Sequence, residues 1–390
     1  MVTITTADKA LKNFYLDVVK QQLNTATNPF YNKIKNSNQY VQGKKVIKAV
    51  NYGLNGGFGF GSETGALPAS GSNYYDSFET EVKNMYGVIK ISDKAMRESQ
   101  TSAGAFVNLL NYEMEGLLEA AKFNYARALY GNGSGVLSTI TLNTTSSPKY
   151  AVSNTKYLVE GMMVDCIDAG FNAPVNTSPR RIVSIDRTAK TVTLDLTVPT
   201  TGTCDLVVQG SYQKEITGLG QIFNNTASAL YGLSRTDRSW LVPLTKDDSS
   251  KISDSQLQYC MDLAEEKANS RINYITTSYK YRRYYIDYLQ ETKRNINTMD
   301  LEGGFSAVSF CGIPVIADKH CPDDKMYFLN ADDFTMHYLC DWEWLADDGR
   351  ILKQVPGYPI WTAILAKYAE LICDHPGGQV AASNFQPYVS

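Results

Sequence analysis

The chain has 390 residues, 37 basic and 40 acidic side chains, three histidines and a formal net charge of −3. An apolar share of 43% with 11% aromatics is enough to bury a core, which excludes global disorder. The near-balance of charge excludes a protein that works as a net polycation on nucleic acid. No run of 18 apolar residues exists, so no segment has the length to span a bilayer as a helix. The N-terminal MVTITTADKALKNF also lacks the pattern of a secretory signal. At this length two or three compact units are expected.

Residues 6–23 are predicted to form an amphipathic helix, with Leu11, Phe14, Tyr15, Val18, Val19 and Leu23 at helical spacing. Asn28-Pro29 breaks it. The stretch 30–48 is polar and basic with scattered aromatics, and reads as an extended arm that needs another surface to lie on. Val46–Tyr52 and Val82–Ile91 are predicted strands flanking one long excursion. Its loop holds seven glycines, from Gly53 to Gly71, and a loop of that length is usually functional or ordered by a partner.

Ser102 is the expected N-cap of a helix that stops at Gly131. Phe106, Leu110, Met114, Leu117, Ala121, Tyr125 and Ala128 form one stripe along it, and about 27 residues give a rod of roughly 40 Å. From 135 to about 216 the composition shifts to Thr, Val and Asp. RIVSID and TVTLDLTV alternate on either side of the polar turn RTAK, which predicts a hairpin. MMVDCIDA and DLVVQGSY add strands to a small all-β unit. Helices are expected at Ser255–Ala268 and Tyr279–Leu289, a strand pair at 305–330, and a last strand near 361–374.

The search for chemistry returns little. GGFGFG at 56–61 lacks the helix that must follow a phosphate-binding turn. His320, His337 and His375 make no HExxH or H-x₃-H spacing, so no metal or cofactor site is expected, and no catalytic cluster either. A Cys–His pair remains open only through spatial proximity. The seven cysteines form no CxxC and no close pairs, which fits free buried thiols better than a disulfide framework. The acidic pairs at 247–248, 323–324, 332–333 and 347–348 sit in turn-like contexts. Glu115, Glu119 and Lys122 read as a solvated rim or an intersubunit ion pair. The segment YKYRRYYIDYLQETKR (279–294) interleaves Tyr with Arg and Lys. That pattern suits base stacking on a single strand; it also suits a protein interface, the reading favoured because the chain around it is acidic.

A basic arm, a long glycine-tipped hairpin and a rod-like helix all cost conformational entropy unless they dock on something. NPFYNKIK, GKKV, NGGFGFGSETGALP, FETEVKNMYGVIKISDKAM and GAFVNLLNYEMEGLLEAAKFNYARALYGNGSG, in that order, resemble the major capsid proteins of tailed bacteriophages of the Hong Kong 97 type. EGMMVDCID, QGSYQKEITGLGQIF, GIPVIADKHCPDDKMYFLN and LKQVPGYPIWTAILAKYAELICDHPGGQ extend the likeness over nearly the whole chain, and it is closest to phages and prophages of clostridia and related bacteria. The resemblance implies an α+β capsid fold. Residues 1–40 would be the N-arm and 41–90 the E-loop with its flanking strands. Residues 91–134 would hold the spine helix of the P-domain, 135–216 an inserted β domain, and 217–390 the A-domain with strands returning to the P-domain.

The resemblance further implies an icosahedral shell of pentamers and hexamers enclosing double-stranded DNA, assembled in the host cytoplasm, with a portal protein at one vertex and a decoration protein as an option. The arm begins near Met1, so no cleaved N-terminal scaffolding segment is expected and a separate scaffolding protein is. Lys44, Lys45 and Lys48 match no crosslinking site, so no covalent crosslinks are expected. An encapsulin-like compartment enclosing protein cargo, and an enzyme with an unrecognised site, are the competing readings. The residues expected at intersubunit contacts are Lys33, Lys35, Lys44, Lys45, Phe58, Phe60, Tyr281, Arg282 and Arg283. Residues 1–50 hold eight lysines against two aspartates, so they carry +6 and the rest of the chain −9. That split predicts a basic arm lying on an acidic neighbour.

Overall fold

A computed structural model describes residues 28–94, 103–142, 147–168, 170, 173–175, 178–198, 202–292, 298–301, 305–346 and 351–387. The expected helix at 6–23, the cap at Ser102 and the acidic pair 347–348 lie outside them. The chain divides into two compact units, one of residues 125–221 and one of the remainder.

The larger unit begins with a short helix α1 (Pro29–Lys33) and strand β1 (Lys35–Ser37). Asn28 caps α1, its Oδ1 accepting from the amides of Phe30 and Tyr31 at 2.6 and 3.1 Å. Next come β2 (Val41–Gln42), β3 (Lys45–Tyr52), β4 (Tyr74–Glu81) and β5 (Lys83–Ser92). The partner of β3 is β4, paired from Lys45↔Glu81 to Tyr52↔Tyr74. The expected second stem, β5, instead joins a different sheet, pairing with β23 (Ile360–Cys373). The strand-like sequence runs on through residues 74–92, so alternation alone does not show the break at Val82.

Helix α2 spans Ala103–Ala128. Met114 and Leu118, with Leu117 and Ala121 beside them, pack on Ile89, Ile91, Trp342, Trp344 and Leu365. Spacings of three and four residues bring these side chains to one face of the helix. The sheet beneath has β23 at its centre. It is flanked by β5 and by β21 (Phe334–Trp344), with β1 parallel on the far side of β21, and β22 (Lys353–Gln354) also pairs with β23.

The smaller unit is a closed barrel. Strands β6 (Val136–Leu142), β7 (Lys149–Val152), β8 (Met163–Asp168), β10 (Arg180–Asp186), β11 (Thr191–Leu194) and β12 (Gly202–Val208) pair antiparallel in the order 10-11-7-6-12-8. β8 then pairs back to β10, and β9 (Ala173–Pro174) adds to β8. Closure leaves the ring no free edge. The interior is mainly apolar, with Ile140, Leu158, Val164, Val192, Val198 and Leu206 each buried and Ser138 buried beside Ile140 on β6. The predicted hairpin is present as β10–β11, its turn held by Asp186 Oδ1 accepting from the Thr188 and Ala189 amides.

The last segment of the larger unit builds a seven-stranded sheet. Its elements in chain order are β13 (Ala229–Leu230) and β14 (Leu233–Ser234), which form their own hairpin, then β15 (Leu244–Asp247), helix α3 (Asp254–Ala268), β16 (Tyr274–Thr277) and helix α4 (Tyr279–Thr292). β17 (Thr298–Leu301), β18 (Phe305–Phe310), β19 (Ile313–Ala317), β20 (Lys325–Leu329) and β24 (Val380–Ser383) complete it, in the order 15-24-20-16-19-18-17. The expected strand pair at 305–330 is three strands. Cys311 and Gly312 both take positive φ, 49° and 77°, in the two-residue turn of β18–β19.

Two glycines in the GLG of ITGLGQIF explain why the barrel's exit lies so close to its entry. Leu219 donates its amide to the Leu129 carbonyl at 2.8 Å. A Cβ on Gly218 would collide with the Ala128 carbonyl oxygen. Gly218→Ala must push backbone apart there and is expected to cost about 1–3 kcal/mol, read as a lower midpoint in urea or thermal unfolding.

Candidate assembly surfaces

The hairpin β3–β4 is seated on an aromatic root. Val46 and Phe78 are buried with Leu230, Tyr231, Leu241 and Ile372. Phe78 lies 5.1 Å from the Tyr231 ring and 5.8 Å from Trp240, and Tyr52 stacks on Trp240 at 5.4 Å. Tyr231 and Gly232 form the two-residue turn of β13–β14, with φ 49° and 81°. The Tyr231 carbonyl accepts from the Glu79 amide at 3.0 Å and its hydroxyl accepts from the Cys373 amide at 3.1 Å. Arg238 grips the hairpin from the side, its Nε and Nη2 donating to Asp76 at 2.6 and 3.2 Å. Neither Tyr231 nor Arg238 stands out in the sequence; the YG dipeptide between two short apolar stretches is the one signal for the turn.

Beyond Tyr52 the hairpin carries the glycine-rich loop, and there the packing ends. Leu54, Phe58, Phe60 and Leu67 are 92, 80, 97 and 90% exposed. Phe58 and Phe60 meet edge-to-face at 5.4 Å. Burying any one of the four against a partner is worth about 1.5–3 kcal/mol. Large apolar side chains exposed together on one loop are a feature of surfaces that a partner covers.

The basic arm behaves differently from expectation. Its first residues lie on this same chain. Phe30, Tyr31 and Ile34 are buried, Phe30 against Tyr274 and Phe334. The Lys367 ammonium, almost fully buried, donates to the Tyr31 hydroxyl at 3.3 Å and to Asp341 Oδ1 at 2.9 Å. Lys35 pairs with Asp332 at 3.5 Å, Lys44 with Glu81 at 3.0 Å, Lys45 with Glu79 at 3.4 Å and Lys48 with Asp374 at 2.6 Å. Acidic partners therefore exist within the chain for four of these lysines, while Lys33 is exposed.

Tyr281, expected at a contact, is 1% exposed and belongs to the core under α4, its hydroxyl accepting from the Phe385 amide at 3.1 Å. The helical period that turns Tyr281, Tyr285 and Leu289 inward turns Lys280 and Arg283 outward. Arg282 is half-buried, over the Tyr279 ring at 5.3 Å.

Among the described residues no group of three or more His, Cys, Asp or Glu side chains is placed to hold a metal ion. None of the seven cysteines forms a disulfide. Burial pushes the Cys166 and Cys260 thiols up to about 12 and Cys204 up to about 11, the opposite of an activated nucleophile. His320 is buried against Phe123, and Asp248 pairs with Lys246 at 2.9 Å.

No protein-family model matches the sequence, and no curated protein matches it. Solved structures do. The capsid of cyanophage A-1(L) superposes with a TM-score of 0.53 at 12% identity, covering 91% of this chain and 90% of that one. The capsid of an empty GTA particle gives 0.49 at 12% identity over 92% and 90%. The SrpI encapsulin from Synechococcus elongatus PCC 7942 gives 0.49 at 9% identity over 95% and 96%. The cyanophage likeness shows the architecture: this chain has the α+β capsid fold of the Hong Kong 97 type.

His337 lies under the arm, with Nδ1 3.0 Å from the Gln39 carbonyl oxygen; a carbonyl only accepts, so the proton sits on Nδ1. Burial lowers the basicity of the ring, the Gln39 bond raises it, nearby Lys48 lowers it further and Asp374 raises it, with a net downward shift. A folded-state value below the unfolded one means that the unfolded chain takes up more protons. The stability contributed is present above the ordinary imidazole value of about 6.5 and is lost as pH falls through the folded value. Urea midpoints are expected to fall between about pH 7 and pH 5, and His337→Gln is expected to flatten that slope.

Proposed function

We propose that this chain is the major capsid protein of a tailed bacteriophage, with its nearest kin among phages of clostridia and related bacteria. Copies assemble into pentamers and hexamers of an icosahedral shell that encloses double-stranded DNA without reading its sequence. The observation that carries the reading is the capsid fold over nine tenths of the chain together with a hairpin tip whose apolar side chains its own chain leaves in water. The order of the sequence motifs agrees with it. In this reading residues 41–90 reach over a neighbouring subunit as the E-loop, α2 is the spine helix, the barrel is an inserted domain and the seven-stranded sheet belongs to the A-domain. Assembly takes place in the host cytoplasm with a portal protein at one vertex and a separate scaffolding protein, and a decoration protein binds outside where one is present.

Electron microscopy of the purified protein is expected to show icosahedral shells, tubes or capsomer rings, and particles from an infected or induced host are expected to contain DNA. Protein cargo in place of DNA would turn the reading to an encapsulin-like compartment, and a compact monomer that never assembles would end both. The double variant Phe58→Ser/Phe60→Ser leaves the folded core untouched. It should keep the wild-type melting temperature and reduce particle yield at least about tenfold, since two lost apolar contacts are worth more than about 1.4 kcal/mol.

A further inference from the structure

Helices α3 and α4 pack over one face of the seven-stranded sheet, sharing a core with Ile275, Val315, Phe328 and Val380, and the Tyr285 hydroxyl donates to Asp254 Oδ1 at 2.9 Å. Their outer surfaces carry opposite charge. α4 opens with Tyr279, Lys280, Arg282 and Arg283, and α3 closes with Glu265 and Glu266 followed by Lys267. Cations at a helix N-terminus and carboxylates at a C-terminus both oppose the backbone dipole, so each arrangement weakens its own helix. Neither is relieved by the other: among the described residues, Lys280 and Arg283 form no ion pair, nor do Asp262 and Glu265, and Glu266 reaches only its neighbour Lys267 at 3.9 Å. Lys280 instead stands over the Tyr284 ring at 5.7 Å, and Arg282 over Tyr279, giving this end a cationic, aromatic surface.

Beside α3 runs an open groove of about 400 Å³. Met261 and Ile313 supply apolar lining, Asp262 and Glu265 line it with negative charge, the exposed Cys311 sits in its wall, and Arg271 is its single cationic lining residue. Two unlike, complementary surfaces on one chain call for a head-to-tail contact, which closes into a ring when the rotation allows. We propose that the basic, tyrosine-bearing end of α4 in one copy seats in the acidic groove beside α3 of the next copy. The contact rests on the shell reading above and names the surfaces that join neighbours within a capsomer. A single-stranded nucleic acid on α4 is the poorer occupant, because Asp262, Glu265 and Glu266 on the adjacent helix repel phosphate.

The test is a charge swap in the full chain. Lys280→Glu/Arg283→Glu and Asp262→Lys/Glu265→Lys are each expected to fold and to melt no lower than wild type, since the reversed charges no longer oppose the helix dipoles, but to lower the yield of rings or shells at least about tenfold, and the combined fourfold variant to restore it to within about threefold. With molecular oxygen and a copper–phenanthroline catalyst as the two-electron oxidant, assembled Arg283→Cys particles are expected to give disulfide-linked oligomers through the native Cys311 and Arg283→Cys/Cys311→Ser particles none; no linkage in Arg283→Cys particles would overturn the contact. Half-swaps that assemble like wild type, or a fourfold variant that stays defective, would overturn the contact while leaving the shell reading in place. Loss of single-stranded DNA binding by Lys280→Glu/Arg283→Glu with unimpaired assembly would overturn it too. A wild-type chain that never assembles removes the shell reading, and this contact with it.

Discussion

Leu54, Phe58, Phe60 and Leu67 stand in water at the end of a hairpin that is itself firmly seated, and this mismatch constrains everything else in the larger unit. A loose hairpin could fold its apolar tip back onto its own chain. This one is held by an eight-residue ladder, by the Arg238–Asp76 pair and by aromatic packing at Phe78, Tyr231 and Trp240. Tyr231 takes a left-handed backbone conformation that a bulky residue adopts at a cost. That strain is sustained because the carbonyl and hydroxyl of Tyr231 satisfy amides from two separate strands. Rigidity at the root thus keeps the tip available for a surface outside the chain.

Electrostatics divides along the same line. Lys35, Lys44, Lys45 and Lys48 each find a carboxylate in their own chain. Exposed pairs such as Lys44–Glu81 contribute little, because solvent and salt screen them. Lys48–Asp374 is better sheltered from solvent and ties the hairpin to the end of β23. Lys280 and Arg283 at the start of α4 and Glu265 near the end of α3 are among the described charges without an ion-pair partner, and they oppose the dipoles of the helices that carry them. Of the basic residues near the N-terminus, Lys35, Lys44, Lys45 and Lys48 are thus compensated within the chain, while Lys33 stays exposed.

The elements legible in the sequence are those with one buried face. The period of Met114, Leu117, Ala121 and Tyr125 marks α2, and the alternation in RIVSID and TVTL marks β10 and β11. β16, YITT, went unread because both of its faces are buried and no alternation remains. β21 mixes Trp, Asp, Glu and Cys, and its pairing with β23 is irregular at two points, which blurs the period of two. The division of 74–92 into β4 and β5 is a tertiary decision, since both halves alternate equally well. At the contact sites, residue type in 279–283 was legible but facing was not. Tyr281 is in the core and Lys280 and Arg283 face outward, a distinction that needed the helical register against the sheet. The groove that complements them is assembled from α3, the segment 270–273 and the β18–β19 turn, and no short motif spans those pieces.

The barrel begins and ends on adjacent strands, with Val136 paired to Val207 and Gly202 to Leu142. The chain therefore leaves and returns at adjacent points, which keeps the loop-closure cost of the intervening residues low. Gly218 and Gly220 allow the returning backbone to lie directly against the carbonyls of 128–131. Arg127 seals the junction with a bidentate pair to Glu215 at 3.0 and 2.5 Å, buried on both sides. Removing one partner would leave an uncompensated buried charge, so both must be kept together or lost together. A closed ring with a mainly apolar interior and such a junction has its own core and no free ring edge to seek a partner, so its contacts are set by its outer surface alone.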